Sequence, residues 1–478
     1  MSWICNIALL CCSLAVSTLA WQEKGRGDLK RIYVEPFTTR GEAEKLRNQV
    51  TGEVRKLPGV SLAPDKSHAD LVLGGGGEIW IQGYRSLNPR SGRLPSNGDP
   101  IYSGYLAVEL MDKQGVTLWS DLVTPPIGAD DVSKDLSKRI AKHLGEALPQ
   151  VESAPQTAHL PQPATVLNGA GATFPYPVYS KWFTNFRHAD PEVQINYEAV
   201  GSEAGIRKLL SGQVDFGATD SPHAIHEIAP AEESKFLLFP SVIGAVVPIV
   251  NLPGLAHSIA FTSEALAGIY LGKIRKWNDP VLQQPNRDLV LPDLDITVVH
   301  RADGSGTSYA WSDYLSKTSP EWKGQAGVGL TPKWPTGRAA TGNDGVAKLV
   351  KELGGSIGYV EYIYALQNHL SYGRVRNHNG EFVSASLESI AAASHAIEMR
   401  DDFKLSIVDA AGQGAYPIAT YTWFVVPASI ADGAKRNAIA TFLVWMLRPG
   451  QRQAAALGYL ALPRDLVSRE ERAISRIH

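Results

Sequence analysis

"LLFPSVIGAVVPIV", residues 237–250, is uncharged and rich in branched apolar side chains, and it reads as a strand. So do "DITVVH" (295–300), "GSIGYVEY" (355–362) and "ATYTWFVVP" (419–427), whereas "AIATFLVWMLR" (438–448) reads as a helix. Short β-rich runs alternating with helical patterns predict an α/β architecture with largely parallel sheets. The roughly 314 residues from 165 onward are many for one sheet, which predicts two lobes.

A Pro-, Gln- and Ala-rich stretch, "PQVESAPQTAHLPQPA" (149–164), reads as a linker that sets this region apart from an earlier one. The earlier region, about 30–148, reads as a small separate α/β domain. "RIYVEPF" (31–37), "ADLVLGGGGEIWIQGY" (69–84) and "IYSGYLAVELMDKQGVTLWSDLV" (101–123) read as strands, the last turning near Gln114 and Gly115. Leu46, Val50, Val54 and Leu57 mark one helix; Val132, Leu136, Ile140 and Leu144 mark another. The run Gly74 to Gly77 is no phosphate loop, because no Gly-Lys-Ser/Thr follows and it continues into a strand. A bulge or a close backbone approach accounts for it better, and the Arg-Gly-Asp at 26–28 is read as a chance tripeptide.

The chain has 478 residues, a formal net charge of −2 and 20% charged residues, a balance that gives no support to nucleic-acid binding. Residues 7–20, "IALLCCSLAVSTLA", are apolar and end in small residues, with Thr18 and Ala20 placed for signal-peptidase cleavage. They predict an export signal over 1–20, too short to span a bilayer. Cys5, Cys11 and Cys12 all fall inside it, which leaves the mature chain no disulfide, cysteine metal site or thiol nucleophile. Leu10 and Cys11 precede the last two cysteines where a lipidation signal prefers small residues, so lipid anchoring is disfavoured.

Three segments share a design suited to anions. "LNGAGATFPYPVYSKWF" (167–183) leads through Thr173 and Phe174 into a helix; "GSEAGIRKLLSG" (201–212) puts Ser202 at an N-cap position; "DGSGTSYAWSDYL" (303–315) puts Ser305 before another helix. Helix starts offer unpaired N–H groups and the positive end of the dipole. Arg301 adds a planar fork that stays charged, with Asp303 two residues on to orient it. Asp220, in "VDFGATDSP" (214–222), is a carboxylate where an anion site should not want one: it either caps a helix or receives a proton from the anion. His223 and His226 have helical spacing but no convincing carboxylate partner, and read as surface residues.

Together, "GAGATFPYPVYSKWF", "VDFGATDSP", "FPSVIGAVVPIVN", "IYLGKIRKWND", "RADGSGTSYAWSDYL", "GNDGVAKLV" and "GSIGYVEYIYA" closely resemble the periplasmic phosphate-binding proteins of Pst-type ABC transporters, over about 165–464. The resemblance implies a type II-like, hinged, two-lobed binding protein that holds phosphate in its cleft. Lobe 1 would span about 165–244 and 420–478 and lobe 2 about 245–419, with hinge crossings near 241–248 and 416–423. The matching positions are Thr173, Phe174, Ser202, Asp220, Arg301, Ser305, Gly306 and Thr307, with Asp303 in support. Glu203 is a departure, since a carboxylate facing the cleft would repel a dianion. The first domain lies outside the resemblance, and because every matching position lies beyond the linker, 165–478 alone should bind as tightly as the mature chain. The implied partners are inorganic phosphate and membrane permease subunits, with no metal, cofactor or nucleic acid, for a periplasmic monomer that is not an enzyme. The rival readings are a secreted phosphate sensor or scaffold and a phosphatase-like hydrolase; the latter lacks a Gly-x-Ser-x-Gly elbow or a His-Glu-x-x-His motif.

Overall fold

The computed structural model describes residues 30–37, 43–85, 99–113, 115–125, 131–150, 165–252 and 258–478. The expected export signal with its cysteines, the Arg-Gly-Asp tripeptide and most of the Pro/Gln-rich stretch (151–164) lie outside the described residues. No helix among the described residues is long and apolar enough to cross a membrane.

In the first region β1 (Lys30–Val34), β2 (Val60–Leu62), β3 (Leu71–Arg85), β4 (Asp99–Met111) and β5 (Thr117–Val123) form one sheet in the order β2-β1-β3-β4-β5. β1 runs parallel to β2 and β3, and β3, β4 and β5 form an antiparallel meander. Leu46, Val50 and Val54 of helix α1 (Ala43–Val54) share a core with Leu136, Ile140 and Leu144 of α2 (Val132–Ala147) and with Ile32, Leu73, Leu106 and Val108 of the sheet. Helix α1 stops at Val54, so Leu57 packs from the turn beyond it. Asp131 caps α2, accepting the Lys134 N–H at 3.0 Å. The glycine run lies within β3, where a Cβ on Gly75 would sit 2.3 Å from the Ala107 carbonyl oxygen; the need is for close strand approach.

The second region is built on β6 (Thr165–Gly171), β7 (Val193–Ala199), β8 (Phe216–Thr219), β9 (Phe236–Val250), β10 (Ala260–Phe261), β11 (Thr297–Arg301), β12 (Arg338–Ala340), β13 (Ser356–Glu361), β14 (Ser371–Tyr372), β15 (Arg374–Arg376), β16 (Phe382–Val383) and β17 (Ala419–Pro427). Its main sheet has the order β12-β11-β13-β9-β17-β8-β6-β7, with β14 also on β9, and β10, β15 and β16 form a small one. β9 is the pivot. Its first part, through Ala245, pairs with β17, and from Val246 onward it pairs with β13. Strands β6, β7 and β8 thus belong to lobe 1 and β11, β12 and β13 to lobe 2.

Within the main sheet, pairing inside each lobe is parallel (β6 with β7 and β8, β11 with β12 and β13), but every pairing of β9 and β17 is antiparallel. The expectation of largely parallel sheets is corrected to a mixed one. β9 carries the chain out of lobe 1 and β17 brings it back, so as neighbours they must run in opposite directions.

Each lobe has an aromatic centre. In lobe 1, Tyr179 of helix α3 (Tyr176–Ala189) stacks on Phe424 of β17, with centroids 4.5 Å apart. In lobe 2, Trp311 stacks on Tyr359 of β13 at 5.0 Å. Such pairs add roughly 0.5–1.5 kcal/mol beyond their burial and give each lobe a rigid wall.

Candidate functional site

Four helix starts meet at the seam between the lobes. From lobe 1 come α3, preceded by Thr173 and Phe174, and α4 (Ser202–Leu210); from lobe 2 come α5 (Gly306–Thr318) and α6 (Gly342–Glu352). Three of them were expected, and α6 is added by the fold. The seam is closed by direct bonds. Ser202 Oγ accepts the Gly306 N–H at 3.0 Å, Thr173 Oγ1 accepts from Asn343 Nδ2 at 3.0 Å, and Tyr364 Oη donates to the Thr173 carbonyl at 2.7 Å.

All nine positions singled out from the sequence lie together at this seam. Ser305 caps α5 as expected, its Oγ accepting the Ser308 N–H at 3.1 Å. Ser202 does not cap α4. Gly201 holds that position with φ of 96°, where a Cβ would also lie 2.5 Å from Asp303 Oδ2. Ser202 becomes the first helical residue, and its hydroxyl reaches the other lobe. Phe174 is fully buried, its ring against Gly244 at the crossing strand and its carbonyl accepting from Tyr459 Oη at 2.6 Å.

Arg301, at the end of β11, is 3% exposed. Its Nε donates to Asp303 Oδ1 at 2.8 Å, its Nη2 to Asp303 Oδ2, and its Nη1 to Thr307 Oγ1 at 3.5 Å. Asp303 also accepts the Gly342 N–H at 3.0 Å, which ties the arginine to the start of α6. Burial works against ionisation of Asp303, but the hydrogen bond and charge of Arg301 outweigh it and hold the carboxyl below the ordinary aspartate range.

Asp220 follows β8 and is 1% exposed. It caps no helix. Its Oδ1 accepts from Thr422 Oγ1 at 2.7 Å, because β17 lies beside β8. Burial pushes its carboxyl up to about 7, with the Thr422 hydrogen bond and the Arg301 charge opposing. It touches the start of α5, where a Cβ on Gly306 would lie 2.6 Å from Asp220 Cβ.

Glu203 turns to its own helix, accepting from Arg207 Nε at 2.9 Å and Nη2 at 2.7 Å, and lies over Gly304. His226 does have a carboxylate partner, Glu233 Oε2 at 3.1 Å, which corrects the expectation; a pair seven residues apart across a turn leaves no helical spacing to read. His223 is exposed, as expected, with its ring beside Tyr309.

Sequence reasoning missed Asn343, Thr422 and Tyr364. For Asn343 a signal existed: "GNDGV" repeats the glycine-then-polar opening of the other helix starts. Thr422 and Tyr364 sit in apolar runs, and only pairing across the sheet or the seam shows their use.

The family model of the PBP superfamily domain matches residues 154–449. The phosphate-binding protein PstS of Xylella fastidiosa is 43% identical over 308 residues, covering 64% of this chain and 84% of the relative. PstS of Pasteurella multocida is 38% identical over 309 residues, covering 64% and 89%. Among solved structures, a high-affinity periplasmic phosphate-binding protein bound with phosphate aligns with a TM-score of 0.53 and 21% identity, over 64% of this chain and 93% of that one. A phosphate-binding protein from Stenotrophomonas maltophilia aligns with a TM-score of 0.50 and 19% identity, over 64% and 93%. At those identities the structures show the two-lobed fold.

Proposed function

The chain belongs to the PBP superfamily and, within it, to the PstS phosphate-binding proteins, and from that premise we propose that it captures inorganic phosphate between its lobes and delivers it to an ABC importer from the periplasmic side of the membrane. The observation that carries this reading is the polarity of the closed seam. A buried Arg301, four helix starts and the hydroxyls of Thr173, Ser202 and Thr307 supply donors, and one buried carboxylate, Asp220, faces the same point as an acceptor. A tetrahedral oxyanion that carries a proton satisfies both.

Under this reading Thr173, Ser202, Asp220, Arg301, Ser305, Gly306 and Thr307 hold the anion, and Phe174, its ring in the core, contributes through its backbone N–H. Asp303 positions Arg301. Binding without turnover is favoured by the partners of the hydroxyls. Those of Thr173, Ser202 and Thr307 receive hydrogen bonds from N–H groups, whereas a nucleophilic hydroxyl needs a base to take its proton. Isothermal titration of the mature protein with phosphate and sulfate tests the proposal. Phosphate binding with sulfate rejected supports it, and absence of phosphate binding refutes it.

A further inference from the structure

Resting on that phosphate reading, we infer that Asn343 is a positioning residue that makes the two threonine corners of the site donor-only. Asn343 is fully buried in the first turn of α6. The backbone sets its orientation: Oδ1 accepts the Glu361 N–H at 3.0 Å, which a flipped amide has no lone pair to do. Nδ2 therefore donates to Thr173 Oγ1 at 3.0 Å and, more weakly, to Thr307 Oγ1 at 3.4 Å.

Each of these hydroxyls carries a second donor. The Asn343 N–H lies 3.4 Å from Thr173 Oγ1, and Arg301 Nη1 lies 3.5 Å from Thr307 Oγ1. A hydroxyl has one proton and two lone pairs. With both lone pairs facing donors, each threonine has only its proton left to offer. The proton of a bound hydrogen phosphate is accordingly refused at both corners and directed to Asp220. Thr173 stands in lobe 1 and Asn343, Arg301 and Thr307 in lobe 2, so the Thr307 corner is built within lobe 2 and the Thr173 corner is completed only when the lobes close.

The test is titration of Asn343→Asp, Asn343→Ala and wild type with inorganic phosphate between about pH 5.5 and 8.5, the range over which buried carboxyls titrate. In Asn343→Asp an acceptor replaces the donor and turns the threonine protons away from the anion. Phosphate affinity should fall about a hundredfold or more at the alkaline end, as for a site whose required hydrogen bond is inverted. The deficit should shrink toward acid pH, where the new carboxylic acid protonates and can donate again. The charged groups around position 343 are Arg301 of β11, Asp303 through the Gly342 N–H, the adjacent Asp344, Glu361 of β13 and Asp220 across the seam. They are common to both proteins, so the ratio of affinities isolates residue 343. Asn343→Ala should lose roughly tenfold, with a ratio flat in pH.

Variants that bind within about threefold of wild type, or an Asn343→Asp deficit that does not change with pH, would overturn the inference. If wild type itself binds no phosphate, the reading beneath the inference falls with it, a result distinct from either. Should Asn343→Asp fail to fold, the cycle of Asn343→Ala with Thr173→Val decides. Non-additive losses support action through Thr173, and additive losses refute it.

Discussion

The carboxyl of Asp220 is buried, and burial pushes it up to about 7 from an ordinary 3.8. In strong acid both folded and unfolded chains hold this proton and the group costs nothing. Between about 4 and 7 the unfolded chain releases it while the folded chain keeps it; above about 7 the folded chain must hold a buried charge. The rise from 3.8 to about 7 then removes ~4 kcal/mol of stability, less whatever relaxation returns. Asp220→Asn should therefore raise the melting temperature of the phosphate-free protein at alkaline pH and little in acid. The same substitution replaces the acceptor that meets the phosphate proton, so phosphate should bind more weakly and sulfate measurably. In wild type, acid pH gives Asp220 its own proton to donate, and sulfate exclusion should relax as pH falls through about 7. Melts and paired titrations check both; sulfate excluded equally by variant and wild type removes Asp220 as discriminator. Arg301→Ala should weaken phosphate binding by ~3 kcal/mol or more, because a charge-assisted fork is lost. Asp303, stripped of its partner, also stays beside the anion. Arg301→Lys should recover only part, since an ammonium cannot make the fork; unchanged phosphate affinity in Arg301→Ala would place it outside the site.

Among the elements, α5 starts in close contact with the opposite lobe. Gly306 lies against Asp220, where an added Cβ would meet Cβ, backbone N and Oδ2 at 2.6 to 2.7 Å. Backbone cannot give way cheaply, so Gly306→Ala should keep the lobes apart and abolish tight phosphate binding. The phosphate-free protein should melt no lower, since alanine favours a helix start over glycine. A variant that binds normally would mean the seam has slack. Much of this was legible at element scale: β9 and β17 read as strands, α5 announced itself through the Ser305 cap, and β9 changes partners at Ala245 and Val246, inside the stretch 241–248 read as a crossing. The remainder depends on tertiary neighbours. Ser202 and Gly201 exchange roles because of Asp303, about a hundred residues away in sequence. Asn343 acquires its work from Thr173, on the opposite lobe, and no local pattern records such a partner.

For the whole molecule, the question is what the 30–148 region does to a hinge it touches on both sides. Its grip on lobe 1 is firm. Ser120, 6% exposed, donates to the Arg452 carbonyl at 2.6 Å and accepts the Ala456 N–H at 3.2 Å, and Leu122 joins the apolar core of the second region. Against lobe 2 it makes polar contacts that water reaches, Glu78 with His369 and Arg139 with Glu388 at 3.9 Å. A cavity of about 450 Å³, lined by Glu109 of the first region, Lys181 and Leu457 of lobe 1 and Ile363 of lobe 2 among others, lies where the three meet. Solvent-reached polar pairs of this kind contribute ~0–1 kcal/mol each. The region therefore rides on lobe 1 and restrains lobe 2 weakly. Residues 165–478 alone correspond to most of the length of the PstS relatives, 84% in the Xylella protein, so that segment should fold independently. Its phosphate affinity should stay within about thirtyfold of the full chain, the most that two such contacts, ~2 kcal/mol together, can shift a closure equilibrium. Its melting temperature should fall, because the lobe 1 surface around Arg452 and Ala456 loses its cover. Titration and melting of the two proteins side by side check this. A larger change in affinity would mean that the first region holds the lobes at a set angle, and Glu78→Gln in the full chain should then reproduce part of it.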